Sequence, residues 1–347
     1  MTPLFVAISF AGGALATLAV VQIVRPVLGG RLVLPALGAA AAATAVTATV
    51  GALSGVARLD YLLGLCAFTP PVLVLLEAAA IGIGAGRLGR WVLMLSWGLV
   101  VFPLATLLPM ALTASCRFSG CAISDFGGAL ALFVSASAFV LLAWRGRGMP
   151  DTLDVRGSEA VAGVLGFWVA FVIWLVSLEA DFDAYIPRIL LAAVVGPAAA
   201  AAGWLLVDRL RVAGRSPLRS LGFGFLAGSA ATVSGAVIVS FPWTIVVGAL
   251  AGMLGALLHG IPRLAARGVA PRWGVTLLGA TAMGFLAPPV WGDAVGILFS
   301  AQVGVIGAPL LAFFGVAAGS ALVSAPGWYA VRREAARRDA VAGTVRP

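Results

Sequence analysis

Lysine is absent from this chain of 347 residues, and histidine occurs once, as His259. Charged residues make up only 10% of it, against roughly 25% in a soluble domain. So sparse a charge excludes an ordinary soluble fold. A single histidine and three cysteines leave no Cys/His set at zinc spacing, so no metal site is expected. Within the apolar stretches there is no nucleophile beside a base, no paired carboxylates and no metal cluster. These absences exclude an intramembrane enzyme, and no cofactor is expected. Met1-Thr2-Pro3 carries no basic residue, and Arg25 follows the first apolar run instead of preceding it. That order argues against a cleaved signal peptide and for a retained first helix.

What remains is apolar: 62% of the chain is hydrophobic. A spanning helix needs about 20 mainly apolar residues. Eleven such stretches are expected, at 4–24, 32–54, 60–85, 91–112, 125–144, 160–178, 185–207, 221–240, 243–261, 273–289 and 303–331. Ser240-Phe241-Pro242 divides the eighth from the ninth, and the tenth closes on Pro288-Pro289. The chain is thus an all-α polytopic membrane protein, with a transmembrane domain over 1–331 and a short Arg-rich tail over 332–347. The 44 glycines and the alanine runs Ala39–Ala43 and Ala198–Ala202 suit helices in close contact.

The arginines give the orientation. Nineteen of the 22 basic residues fall in every second gap or in the tail, and only Arg58, Arg117 and Arg188 fall in the others. Cytoplasmic loops accumulate positive charge, so the N-terminus is expected outside and the C-terminus inside an inner (plasma) membrane. A net charge of +9 could draw nucleic acid in a soluble protein. Here topology and anionic lipid account for it, because the charges are spread over short loops. The bilayer is the expected partner.

Several polar residues stand out. Cys66 lies in the third span and suits a small core position. Cys116 and Cys121 share an outer loop, where a local disulfide and two separate thiols both fit. Glu77 is the one carboxylate well inside a span, and an intramembrane acid is a functional candidate by default. A protonated acid bonded to nearby backbone is the competing reading. His259, near the inner end of the ninth span, reads as a packing residue.

Ordered segments resemble the ammonium transporter (Amt/Mep/Rh) family. Val101-Phe102-Pro103 is similar to its aromatic-Phe-Pro, and Ser124-Asp125-Phe126-Gly127-Gly128 to its D-F-A-G-G. Gly166-Phe167-Trp168-Val169-Ala170-Phe171-Val172-Ile173-Trp174 resembles L-W-x-G-W-F-G-F. Gly203-Trp204 through Asp208, Leu221 through Ser229, Pro242-Trp243, Gly248 through Gly252, and Gln302 follow in family order. The resemblance covers roughly residues 60–330. It implies a homotrimer with a narrow pore in each subunit. It also implies two five-helix halves in inverted orientation, the 5+5 repeat, plus a final helix strapped across them. The expected function is a channel or transporter for ammonium, ammonia or another small neutral solute. A non-conducting scaffold or sensor on the same fold is the alternative.

The resemblance also places the pore. Counting from Asp125, the family's first pore histidine falls on Phe133. Counting back from Gly284, the second falls on Arg272 or, with one slip, on Trp273. The gate phenylalanines fall on Val72 and Trp174. The outer-site tryptophan falls on Pro109, and its serine on Leu178, beside Ser177. A chain with one histidine cannot hold a histidine pair, so a histidine relay is not expected. Trp174 could attract a cation through its ring face, or pack with Phe171 and Trp168. Asp125 is expected to cap the fifth helix. Glu77 lies five residues beyond Val72, roughly 140° around the helix from the gate face, which weighs against a pore-lining role.

Overall fold

The computed structural model describes residues 3–30, 33–55, 57–115, 123–143, 158–179, 182–211, 216–293 and 296–344. Cys116 and Cys121 lie outside the described residues. Helices occupy the places of the expected spans: α1 Pro3–Leu28, α2 Leu34–Ser54, α3 Leu59–Gly82, α4 Arg87–Thr113, α5 Leu130–Leu142, α6 Ser158–Ser177, α7 Tyr185–Arg211, α8 Pro217–Thr232, α9 Phe241–His259, α10 Val269–Trp291 and α11 Gly307–Thr344. Eight of the helical segments are long and apolar enough to cross a membrane, and α5 and α6 contribute shorter apolar stretches. Among the described residues there is no strand, only an isolated bridge between Val239 and Gly292.

Small residues set the packing. α7 lies against α8 and α9, and α1 runs along α6. A Cβ on Gly252 of α9 would stand 2.0 Å from the Ala200 carbonyl oxygen of α7. One on Gly13 of α1 would stand 1.9 Å from the Ala67 carbonyl oxygen. Any other residue there would force the backbones apart. Dispersion between touching helices replaces the hydrophobic drive that lipid cannot supply.

The helices are not regular throughout. α3 stops at Cys66 and restarts at Thr69, where Pro70 and Pro71 bring no N–H donor. α8 ends at Thr232, short of the expected 240, and α10 breaks at Leu286. α5 begins at Leu130, five residues later than Asp125, through a π-helical turn. Irregular backbone in a membrane must find partners inside the protein. It does so here. Phe126 and Gly127 donate N–H bonds to the Ser234 and Val233 carbonyls at 3.3 and 3.1 Å. The Ser234 hydroxyl donates to the Gly284 carbonyl at 2.9 Å.

α11 runs for 38 residues, about 57 Å at 1.5 Å per residue, well beyond the roughly 30 Å hydrocarbon core. The segment 332–344, expected as a separate tail, continues this helix. α11 touches both halves: the Trp328 indole donates to the Phe139 carbonyl of α5 at 2.6 Å, and Phe313 meets Phe285 of α10 at 6.1 Å.

Candidate functional site

Two cavities lie along α3 and α5, called outer and inner after the expected orientation. The outer one holds about 520 Å³ and includes Tyr61, Pro109, Asp125 and Gly128 in its wall. The Asp125 carboxylate accepts the Ala129 and Leu130 N–H groups at 2.6 and 2.9 Å. These are free donors at the start of α5, so Asp125 acts as the expected cap, displaced into the loop before the helix.

One turn inward on α3, Phe68 stacks on Trp174 of α6, with centroids 4.1 Å apart and planes 25° apart. Phe171 and Phe167 extend the cluster toward the interior. Phe68 is 1% exposed and Trp174 fully buried. The break in α3 explains the position of Trp174. The Phe68 N–H turns to Leu65, and the Gly64 carbonyl accepts the Trp174 indole N–H at 2.8 Å instead. Trp174 is therefore fixed as a structural group and its face is covered by Phe68. Ser177, one turn on, is buried against Ser9, with hydroxyls 2.7 Å apart.

The inner cavity holds about 160 Å³ between α1, α3, α5, α6 and α10. Val72, Phe133, Phe167 and Trp273 are among its lining residues, and the one hydroxyl-bearing side chain there is Ser137. Among the described residues no carboxylate, histidine or arginine lines it. The two positions left open for the second pore histidine separate cleanly. Trp273 faces the cavity, whereas the Arg272 guanidinium donates to the His259 carbonyl at 2.5 Å. His259 is 1% exposed and ringed by Trp204, Phe223 and Trp273, with centroids 5.6, 5.0 and 4.9 Å away. It is a packing residue one ring removed from the cavity.

Glu77 lines neither cavity. Its carboxylate is fully buried, meets Arg90 of α4 at 2.8 Å and accepts the Ala36 N–H of α2 at 3.0 Å. It joins three helices at their arginine-bearing ends. Cys66 is buried and free, as expected of a core residue.

Val72, Phe133 and Trp273 thus share the inner cavity, and Pro109 and Asp125 the outer one. Trp174 and Ser177 lie in the packed layer between helices, and Arg272 faces away. Sequence reasoning missed Phe68. Its signal was the Thr69-Pro70-Pro71 triplet, which marks a helix break inside an apolar run.

A bundle of apolar helices with irregular, internally satisfied backbone and two cavities along α3 and α5 defines a polytopic membrane protein. Solved structures specify it further. A Mep2 mutant from Candida albicans aligns with a TM-score of 0.72 at 14% identity, over 93% of this chain and 84% of its own. Mep2 from Saccharomyces cerevisiae aligns at 0.68 and 14%, over 92% and 86%. A protein described as a sensor Amt protein aligns at 0.65 and 12%, over 96% and 95%. No family model matches the chain, and no curated protein matches it by sequence. The fold is that of the ammonium transporters.

Proposed function

We propose that this chain forms a narrow membrane pathway on the ammonium-transporter fold, suited to a small neutral solute and lacking a histidine-relayed proton. The observation that carries this reading is the inner cavity. Phe133 lines it where the family resemblance puts the first pore histidine, and Trp273 lines it at one of the two positions counted for the second, the other being Arg272. Neither ring can pass a proton along a chain. A bare cation there would meet ring faces and one hydroxyl but no carboxylate among the described residues, and a charge in hydrocarbon costs at least about 2.5 kcal/mol. Ammonia or another neutral molecule avoids that cost. Eleven crossings, the inverted 5+5 arrangement, an outside N-terminus, an inner-membrane location and a homotrimeric assembly complete the proposal. Native mass spectrometry in detergent tests the trimer, and a monomer as sole species would remove it.

The test of mechanism is flux against current in proteoliposomes. Methylamine and ammonia should enter faster than through empty liposomes, with no saturable ammonium-dependent current on a solid-supported membrane. A saturable current, abolished in Trp174→Ala, would overturn the reading.

The second reading is a non-conducting scaffold or sensor, and the Phe68–Trp174 stack favours it. The two rings lie 4.1 Å apart and are closed to solvent, at an α3 position between Leu65 of the outer cavity and Val72 of the inner one. It predicts flux equal to that of empty liposomes in the wild type.

A further inference from the structure

The inner cavity has a size and chemistry that ammonia does not use. Its volume of about 160 Å³ is several times the share of one water molecule. Apolar cavities of about 150 Å³ stay dry and take up benzene. The walls here are of that kind: valine, leucine, isoleucine and alanine side chains with the rings of Phe133, Phe167 and Trp273. A water cluster needs two to four polar partners per molecule, and a lining with one hydroxyl-bearing residue cannot provide them. The cavity is open at one side, where Leu75 is exposed, and an apolar occupant would recover the dispersion contacts that its unfilled walls forgo.

The lining is polarised at one place. Ser137, on α5, is 4% exposed and lies one turn from Phe133 on the same helix. Across the cavity stand Val24 of α1 and Val72 of α3, which offer no hydrogen bond. A ligand with an apolar body and a single hydroxyl fits both parts of this lining. An ammonium ion, a sugar or an amino acid would leave most of its polar groups without partners.

We propose that the inner cavity is a binding site for a small, neutral, mostly apolar organic molecule of about benzene size, with Ser137 reading one hydroxyl on it. The proposal deepens the neutral-solute reading and rests on the same cavity, but binding does not require passage through the aromatic stack.

Phenol and benzene are suitable probes of the purified full-length chain in detergent, by equilibrium dialysis with empty micelles subtracted. Both should bind saturably at one site per chain, phenol several-fold more tightly. Ser137→Ala should remove the preference for phenol and leave benzene unchanged. Ala136→Phe fills the cavity and should weaken both by more than tenfold. Val72→Phe fills it from α3 and serves if Ala136→Phe does not fold. Non-saturable uptake, or saturable binding unchanged in a folded filled variant, overturns the proposal, as does a phenol preference that survives Ser137→Ala. The flux assay separates the two readings. Saturable binding without flux removes the transport reading and keeps the site, whereas flux without binding removes the site and keeps the transport reading.

Discussion

Replacing Glu77 by glutamine tests whether this buried acid is a staple or a working group. The carboxylate has no exposed surface, and its Arg90 partner is 14% exposed. Glutamine keeps an oxygen for the Ala36 N–H, now 3.0 Å from the carboxylate, and loses the charge facing Arg90. Removing one partner from a buried ion pair costs about 3–5 kcal/mol, because the other charge is left uncompensated. Arg90 retains some access to water, so the lower end applies, about 3 kcal/mol. That is a change of more than a hundredfold in the folded-to-unfolded ratio. The double variant Glu77→Gln with Arg90→Met removes both charges, keeps an acceptor for the Ala36 N–H, and should recover to within about 1 kcal/mol of the wild type. SDS titration of the purified protein in mixed micelles reads all three, with methylamine flux measured beside it. A Glu77→Gln variant that unfolds with the wild type but loses flux would refute the staple and place the acid in transport.

Gly252→Leu should abolish monodisperse protein on gel filtration, because its Cβ alone would stand 2.0 Å from the Ala200 carbonyl oxygen. Trp174→Ala removes a fully buried ring and its bond to the Gly64 carbonyl. It should cost about 3–5 kcal/mol in the same SDS titration. Asp125→Ala leaves the Ala129 and Leu130 N–H groups without their acceptor. It should cost about 0.5–2 kcal/mol, with Asp125→Asn recovering part of that loss.

The helix positions were largely legible, because apolar length and arginine alternation are properties of whole segments. The ends of α3, α5, α8 and α10 were not. Hydropathy does not register Thr69-Pro70-Pro71 as a break, and it runs through Thr232 to Ser240 without a change of sign. Those breaks exist because their free carbonyls and N–H groups find partners far away in sequence, such as Gly64 with Trp174 and Phe126 with Ser234. The site was legible in part. Counting along α5 pointed to Phe133, and Phe133 lines the inner cavity. Counting along α10 left Arg272 and Trp273 unresolved, and only packing decides between them. Glu77 stood out as an acid among apolar residues, but its partners Arg90 and Ala36 come from two other helices. A linear reading had no access to that junction.

The distribution of polar groups explains how such a fold can keep its shape while its centre differs in chemistry. In the described residues the charged clusters gather near helix ends. Glu77 with Arg90 joins α2, α3 and α4. Asp208 accepts the Trp204 indole and the Ser220 hydroxyl at 3.0 and 2.7 Å, tying α7 to α8. Arg188 holds Asp293 and the Ile238 carbonyl on the opposite side, tying α7 to the loops that follow α8 and α10. Between these levels the helices meet through glycine, alanine and aromatic rings, which need no partners. A buried imidazole pair needs hydrogen bonds and a solvated path, and each unsatisfied atom costs about 1–3 kcal/mol. Phe133 makes no such demand of the inner cavity, and Trp273 asks for one partner at its indole N–H. The chemistry of the cavity can therefore change without any change in the scaffold that surrounds it.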